Sequence, residues 1–161
     1  MTSLWKWWTA IAGTILIVGG VAWILKLWVI VATDGRVVAA GAAGAFFDLG
    51  FYSLLVGSTG IGVRLMMNQE PSMRVVLALA SPVAFILSVA LFLAIGYAIL
   101  AVGGALAGVS LPGYLLEEAG IFISAVVWLA IGLALLFGSV REPRKAVLPQ
   151  AERSPREGLN T

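Results

Sequence analysis

The chain has 161 residues and a formal net charge of +2; 61% of its residues are hydrophobic, 11% are charged, and the mean hydropathy is +1.04. Soluble domains have about 45 to 50% apolar and about 25% charged residues, so a globule of this size cannot bury this much apolar surface. Cysteine and histidine are both absent, which excludes disulfides, the common zinc, iron–sulphur and haem sites, and Ser-His-Asp catalysis. These properties predict an all-α integral membrane protein that lies in a lipid bilayer, is not an enzyme, and needs no metal or cofactor.

The first apolar segment runs from about Trp7 to Val31, which exceeds the roughly 18 residues that a transmembrane helix needs. A cleaved signal peptide is the alternative, but the segment is long and no suitable small-residue cleavage site follows it. Trp8 and Trp28 are twenty residues apart, about 30 Å along a helix, so we expect them at the two membrane interfaces. Lys26 lies near the second interface and is expected to extend its ammonium group there as an anchor.

Three further apolar segments follow, over residues 37–63, 75–102 and 119–140. The run that starts the second of these continues to Val109, which is too long for one straight crossing. We therefore expect a break at Gly103 and Gly104, with residues 103–118 as an outer loop or an interfacial cap.

The connections between the segments are short, so residues 1–140 are predicted to form one domain, an antiparallel up-down bundle of four transmembrane helices. Residues 141–161 are rich in Pro, Arg, Glu and Ser and lack apolar periodicity, which predicts a disordered cytoplasmic tail.

Basic residues concentrate on one side of this predicted bundle, and half of the ten lie after Val140. The positive-inside rule then places both termini in the cytoplasm, with the protein in the cell membrane. No basic face with interleaved aromatic residues occurs, so nucleic acid is not an expected partner. The residues that determine this orientation are Lys6, Arg64, Arg74, Arg141, Arg144, Lys145, Arg153 and Arg156.

Asp48 is the most unusual residue of the second segment, because a carboxylic acid inside a membrane span is costly and usually faces protein or a water-filled cavity. Helical spacing places it on a stripe of small and polar residues, which another helix can approach closely. We therefore predict that Asp48 points into the bundle. The stripe consists of Gly41, Gly44, Ala45, Asp48, Tyr52, Ser58 or Thr59, and Gly62.

Counting residues from the predicted helix ends places four hydrogen-bond donors near the level of Asp48: Trp23, Tyr52, Ser88 and Trp128. None of them is a cation, so a site of low dielectric favours the neutral, protonated acid. Three interpretations follow. Asp48 joins helices or subunits by hydrogen bonds, or binds a proton or cation in a transport path, or pairs with a basic group of another chain.

Two weaker patterns complete the set of candidate sites. Four pairs of residues have the small-xxx-small spacing of close helix contacts: Gly104 with Gly108, Ala40 with Gly44, Gly41 with Ala45, and Gly120 with Ser124. Glu117 and Glu118 are adjacent and point about 100° apart on a helix, so they are predicted to be a solvated pair at the start of the fourth span.

Three functions agree with these features. The favoured one is a non-enzymatic accessory, assembly or stabilising subunit of a larger or homo-oligomeric membrane complex, because the loops are short and small-residue stripes are abundant. Its expected partners are other membrane subunits or further copies of the chain. The second is a small proton- or cation-coupled transporter or channel that uses Asp48. The third is a protein that binds lipid, quinone or pigment.

Overall fold

The computed structural model describes residues 2–66, 69 and 71–140. Within them lie four α-helices, α1 (Thr2–Ala32), α2 (Gly41–Met66), α3 (Pro71–Ala107) and α4 (Gly113–Val140). Each helix contains a stretch that is long and apolar enough to cross a membrane. The prediction of an all-helical chain with four such helices is therefore confirmed, while the predicted tail 141–161 lies outside the described residues.

The second helix differs from the other three in polarity. Its most apolar window has a mean hydropathy of 1.3, against 2.4 to 2.6 in the others. The difference comes from its glycines, its hydroxyl side chains and Asp48. Helix α2 is thus the least apolar of the four.

The predicted break in the third span does not occur, because α3 passes through Gly103 and Gly104 to Ala107. The helix ends where Gly108 adopts a φ of +65°, a left-handed conformation that glycine tolerates. There the Val109 N–H donates to the Gly104 carbonyl at 2.9 Å and the Gly108 N–H to the Ala105 carbonyl at 3.2 Å, the paired bonds of a Schellman cap.

Three of the helices begin before or after the apolar segments marked in the sequence. Helix α2 begins at Gly41 instead of Val37, α3 begins at Pro71 instead of Val75, and α4 begins at Gly113 instead of Ala119. Proline needs no backbone N–H partner at the first helical position, which makes Pro71 a suitable start. The expected loop or cap of residues 103–118 is reduced to the connection 108–112.

Helix α1 ends in a second Schellman cap, which also joins it to α4. The Gly35 N–H donates to the Ile30 carbonyl at 2.9 Å, and the Asp34 N–H donates to the Val31 carbonyl at 3.1 Å. The Tyr114 hydroxyl donates to Asp34 Oδ1 at 3.3 Å, and its ring packs so closely on Gly35 that a side chain there would clash. We call the end of the bundle with the connections 33–40 and 108–112 the turn end.

The helices form a ring in which each packs on two neighbours: α1 and α3 both contact α2 and α4. Across the described residues, α2 and α4 touch only slightly on one diagonal and α1 and α3 do not touch on the other. As residue numbers rise along α1, those of its partners on α4 fall: Gly13 lies against Gly132, Gly20 against Ala125, and Lys26 against Glu118.

Close helix contacts use two of the predicted small residues, Gly62 and Gly120, together with glycines outside the predicted set. Gly96 of α3 lies against Gly120 of α4, and Gly50 and Gly57 of α2 receive Trp23 and Leu16 of α1. Gly62 of α2 lies against the Leu77 carbonyl of α3. Five other predicted packing residues make no such contact between helices. A Cβ on Gly41 or Gly108 would meet nothing within 4 Å, Gly44 and Gly104 face neighbouring residues of the connections, and Ala45 is exposed.

Aromatic side chains fill the middle of the bundle. Trp23, Phe47, Phe51, Phe85 and Trp128 form a chain of rings whose centroids are 5.2 to 6.2 Å apart. Rings at this spacing in tilted or stacked arrangements attract one another beyond the burial of their surface. The core therefore continues from the α1–α2 contact to the α3–α4 contact without a polar layer.

Candidate functional site

Lys26 and Glu118 form a buried ion pair between α1 and α4. The Lys26 Nζ lies 2.5 Å from Glu118 Oε1 and 2.6 Å from Oε2, and only 6% and 9% of the two side chains are exposed. Lys26 is six residues before the end of α1 and Glu118 is five residues after the start of α4, so both are about 8 to 9 Å inside the turn end. Their charges meet within the bundle.

The sequence-based interpretations of both residues were wrong. Lys26 does not extend to an interface as an anchor, and Glu118 is not a solvated partner of Glu117, which is itself exposed. The physical reason is the position of the first turn of α4. Because the helix begins at Gly113, Glu118 lies one turn inside it and on the face toward α1.

The ammonium group of Lys26 also lies 5.2 Å from the ring centroid of Phe47, within the range of a cation–π contact. Trp23 determines the position of that ring: its indole N–H donates to the Phe47 carbonyl at 3.1 Å, and the two rings stack 6.0 Å apart. Gly50 allows this approach because a side chain there would overlap the indole. The lysine is thus enclosed by a carboxylate and an aromatic face.

A cavity of about 240 Å³ adjoins the ion pair and contains a second carboxylate, that of Asp48. We call it the polar cavity; it is lined by Lys26, Val38, Ala39, Gly44, Phe47, Asp48 and Glu118. Asp48 is exposed at this cavity, and no hydrogen bond or ion pair joins it to another described residue. The expectation that no cation lies near Asp48 was therefore wrong, because Lys26 lines the same cavity.

None of the four predicted partners is hydrogen-bonded to Asp48. The Trp23 indole donates to Phe47, the Ser88 hydroxyl donates to the Phe85 carbonyl at 2.8 Å, and the Tyr52 side chain is 64% exposed. The Trp128 indole N–H is buried without a hydrogen-bond partner and its ring packs on Phe85. Ser88 and Trp128 do meet, but at a separate cavity of about 340 Å³ between α2, α3 and α4.

The rotation of α2 explains why this set does not assemble. Its buried face carries Ala43, Gly50, Leu54 and Gly57, whereas Ala45, Asp48 and Tyr52 lie on the exposed face. Both faces contain small residues at helical spacing. The face with the glycines that receive Trp23 and Leu16 is the one that packs, so Asp48 turns toward the polar cavity and away from the core.

A larger apolar groove, of about 630 Å³, lies on the other side of Glu118. Its walls come from the last turns of α1 and from α3, with α4 along its length, and they include Ile24, Trp28, Ile99, Leu100 and Phe122. Among the residues that the structure describes, Glu118 is the only ionisable one that lines it. One carboxylate therefore separates an apolar space from a polar one.

The donor set suits a singly charged cation. With all three groups ionised, Lys26, Asp48 and Glu118 carry a formal charge of −1. Within the described residues no cluster of three carboxylate, histidine or cysteine side chains could hold a metal ion. Lys26 already neutralises Glu118. The charge of Asp48 remains, and one monovalent cation would balance it.

Comparison with known proteins adds no identification: no protein-family model, no curated protein and no solved structure matches the chain. The site was nevertheless partly visible in the sequence. Lys26 and Asp48 each interrupt an apolar segment, and a charge in such a position is by default a functional hypothesis. Glu118 directly precedes the fourth segment and gave no such signal. What the spacing could not supply is which of these charges meet.

Proposed function

We propose that the four helices cross the cell membrane as an antiparallel bundle with both termini in the cytoplasm. Contacts between α1 and α4 support the antiparallel order, because residue numbers rise along α1 as they fall along α4. The contacts run from Gly13 with Gly132 to Lys26 with Glu118. The excess of Lys and Arg at the termini supports the orientation. The turn end then faces away from the cytoplasm, and the polar cavity lies in the outer half of the membrane.

Within that bundle, we propose that the protein is a small transporter in which the polar cavity binds a monovalent cation, a proton included, as its coupling site. The observation that carries this proposal is that Asp48 shares one cavity with the Lys26–Glu118 pair. A structural ion pair needs one acid for one base, and Asp48 is a second acid. An acid inside a membrane span is costly unless it is compensated, so a counter-charge at Asp48 is favoured.

Ion flux through reconstituted liposomes tests this function. We expect that protein in liposomes with an entrapped pH-sensitive dye moves protons in response to a Na⁺ or K⁺ gradient, and that Asp48→Asn lowers the rate at least about tenfold, since the coupling carboxylate is lost. Asp34→Asn is the matched control, because Asp34 is a carboxylate at the same end but does not line the cavity. Equal rates in wild type, Asp48→Asn and empty liposomes contradict the proposal.

A second candidate is the accessory or oligomeric subunit, and Tyr52 is the observation that favours it. Its side chain is 64% exposed near the middle of α2, the least apolar helix. A phenol at this depth gains a hydrogen bond if another chain covers it.

Photo-crosslinking separates this candidate from the first. A photoreactive phenylalanine analogue at position 52 is expected to yield a defined crosslinked protein species in native membranes. The same analogue at Leu87 of α3, which is 65% exposed, is expected to react with lipid only. Lipid adducts alone at both positions count against a partner on this face.

A further inference from the structure

The apolar groove begins beside a close helix contact and extends to the turn end, where Leu111 lines it. Gly96 of α3 and Gly120 of α4 bring these two helices together, whereas α1 and α3 do not touch within the described residues. The groove follows α4 from Ile123 to Leu115, about 12 Å of helix. This length and the volume of about 630 Å³ match the apolar part of a small ligand.

Glu118 is shared by the groove and the polar cavity, while Lys26 and Asp48 line only the polar cavity. A ligand in the groove therefore reaches one ionisable group, and that group is an acid. Glu118 is nine-tenths buried, so a charge–charge contact made there is screened only weakly by water.

The charges of the site determine which ligand head is favoured. An anionic head adds to the formal charge of −1 that Lys26, Asp48 and Glu118 already carry, and both oxygens of Glu118 already bind the Lys26 ammonium. A cationic head instead makes the count even, with two cations and two carboxylates. A hydrated inorganic ion has no reason to enter walls made of Ile, Leu, Trp and Phe, so the cation that fits the groove has an apolar body.

We propose that the groove binds a lipophilic monocation, whose apolar part lies between α1, α3 and α4 and whose charge contacts Glu118. Lys26 then turns its ammonium group toward Asp48, which lines the same cavity. This inference rests on the proposed function, since it names the substrate class of the cation site. It also assigns a role to each charge: Glu118 binds the ligand, and Asp48 receives the displaced lysine.

Binding of labelled tetraphenylphosphonium to the full-length protein in zwitterionic lipid nanodiscs tests the proposal. We expect saturable binding above that of empty nanodiscs. Unlabelled dodecyltrimethylammonium should compete, and dodecanol, which has the same tail without the charge, should not. Non-saturable uptake, or equal competition by dodecanol, overturns the proposal.

Two pairs of variants test the two halves of the site. Glu118→Gln is expected to weaken binding at least about tenfold, because a charge-assisted contact is lost, while Glu117→Gln, its exposed neighbour, leaves binding unchanged. Ile99→Trp fills the groove and should weaken binding similarly. Ile86→Trp is its control, because Ile86 is exposed to a similar extent on the same helix, 51% against 58%, but does not line the groove.

The Ile99 pair keeps the test decisive if Glu118→Gln fails to fold, since it leaves every charge in place. Equal binding by Ile99→Trp and Ile86→Trp overturns the inference. The failure of this inference is also distinguishable from that of the proposed function. If ion flux depends on Asp48 but binding of tetraphenylphosphonium does not depend on the groove, the lipophilic ligand is ruled out and the coupling site stands. If neither dependence is found, both the ligand and the coupling site are ruled out.

Discussion

The contact between Lys26 and Glu118 is what mainly offsets the cost of burying their two charges. Both oxygens of the carboxylate contact the ammonium group, and the ring of Phe47 covers another side of it. Removing two charges from water costs several kcal/mol for each ion, and their attraction offsets this only in good geometry. The pair is therefore more informative about which helices must meet, and at which level, than about total stability.

Removing one member of the pair should be far more damaging than removing both. We expect Glu118→Gln to lower the free energy of unfolding by at most about 3 to 5 kcal/mol, since it removes the contacting carboxylate of the buried Lys26 ammonium group and leaves only Asp48 in the same cavity to compensate it. The double variant Lys26→Met with Glu118→Gln should recover most of that loss. Unfolding in mixed detergent micelles, followed by loss of helical circular dichroism, measures both.

Glu117→Gln is the control for this series, because Glu117 is adjacent in sequence and exposed. Its effect should stay within about 0.5 kcal/mol, as is usual at exposed sites. If Glu117→Gln and Glu118→Gln destabilise equally, the ion pair does not contribute as described.

At the scale of the elements, some helix glycines lie against a neighbouring helix and others face open space. Gly120 faces the backbone of Leu93 and Phe92, so the distance between α3 and α4 depends on the absence of a side chain there. Gly103 lies inside α3 with nothing within 4 Å of a Cβ placed on it. Helical spacing alone does not separate these two cases.

Alanine at these two glycines should have opposite effects. Gly120→Ala is expected to destabilise the bundle by about 1 to 3 kcal/mol, because α3 and α4 must move apart to admit the methyl group. Gly103→Ala should stabilise it by about 0.5 to 1 kcal/mol, because alanine loses less backbone freedom in a helix. Thermal unfolding of the two variants in the same detergent compares them, and a loss of stability in Gly103→Ala would be inconsistent with the open surroundings of that residue.

At the scale of the whole molecule, the absence of cysteine makes the proposed orientation directly measurable. Ser110 lies in the connection between α3 and α4, and Gln69 lies between α2 and α3 at the opposite end; both are exposed. We expect a membrane-impermeant maleimide to label Ser110→Cys on intact cells. It should label Gln69→Cys only after the membrane is permeabilised.

The wild-type chain serves as the background control, because it has no thiol to react. If Gln69→Cys is labelled on intact cells and Ser110→Cys is protected, the protein has the opposite orientation. It would then place the polar cavity in the cytoplasmic half of the membrane. If both variants are labelled on intact cells, residues 69 and 110 lie on the same side of the membrane. That result would contradict a single crossing by α3 between them.

The helical class and the presence of four long apolar helices follow from the sequence, because apolar runs of this length have few other uses. The sequence also singles out Asp48, since one acid in such a run is costly wherever it points. Helix ends were less predictable: Pro71 can begin a helix, and Gly103 and Gly104 can continue one, because the bonds that end α3 form only at Gly108.

Only the tertiary structure decided which charges meet. Two faces of α2 carry small residues, and the packing of Trp23 and Leu16 on Gly50 and Gly57 selects the buried one. That choice turns Asp48 away from its predicted partners. Lys26 and Glu118 are 92 positions apart, and their contact depends on the start of α4 and on how α1 lies against it. The hydropathy of a segment shows how strongly it tends to leave water. The direction in which its side chains point depends on packing against the neighbouring helices, and the local sequence does not specify that packing.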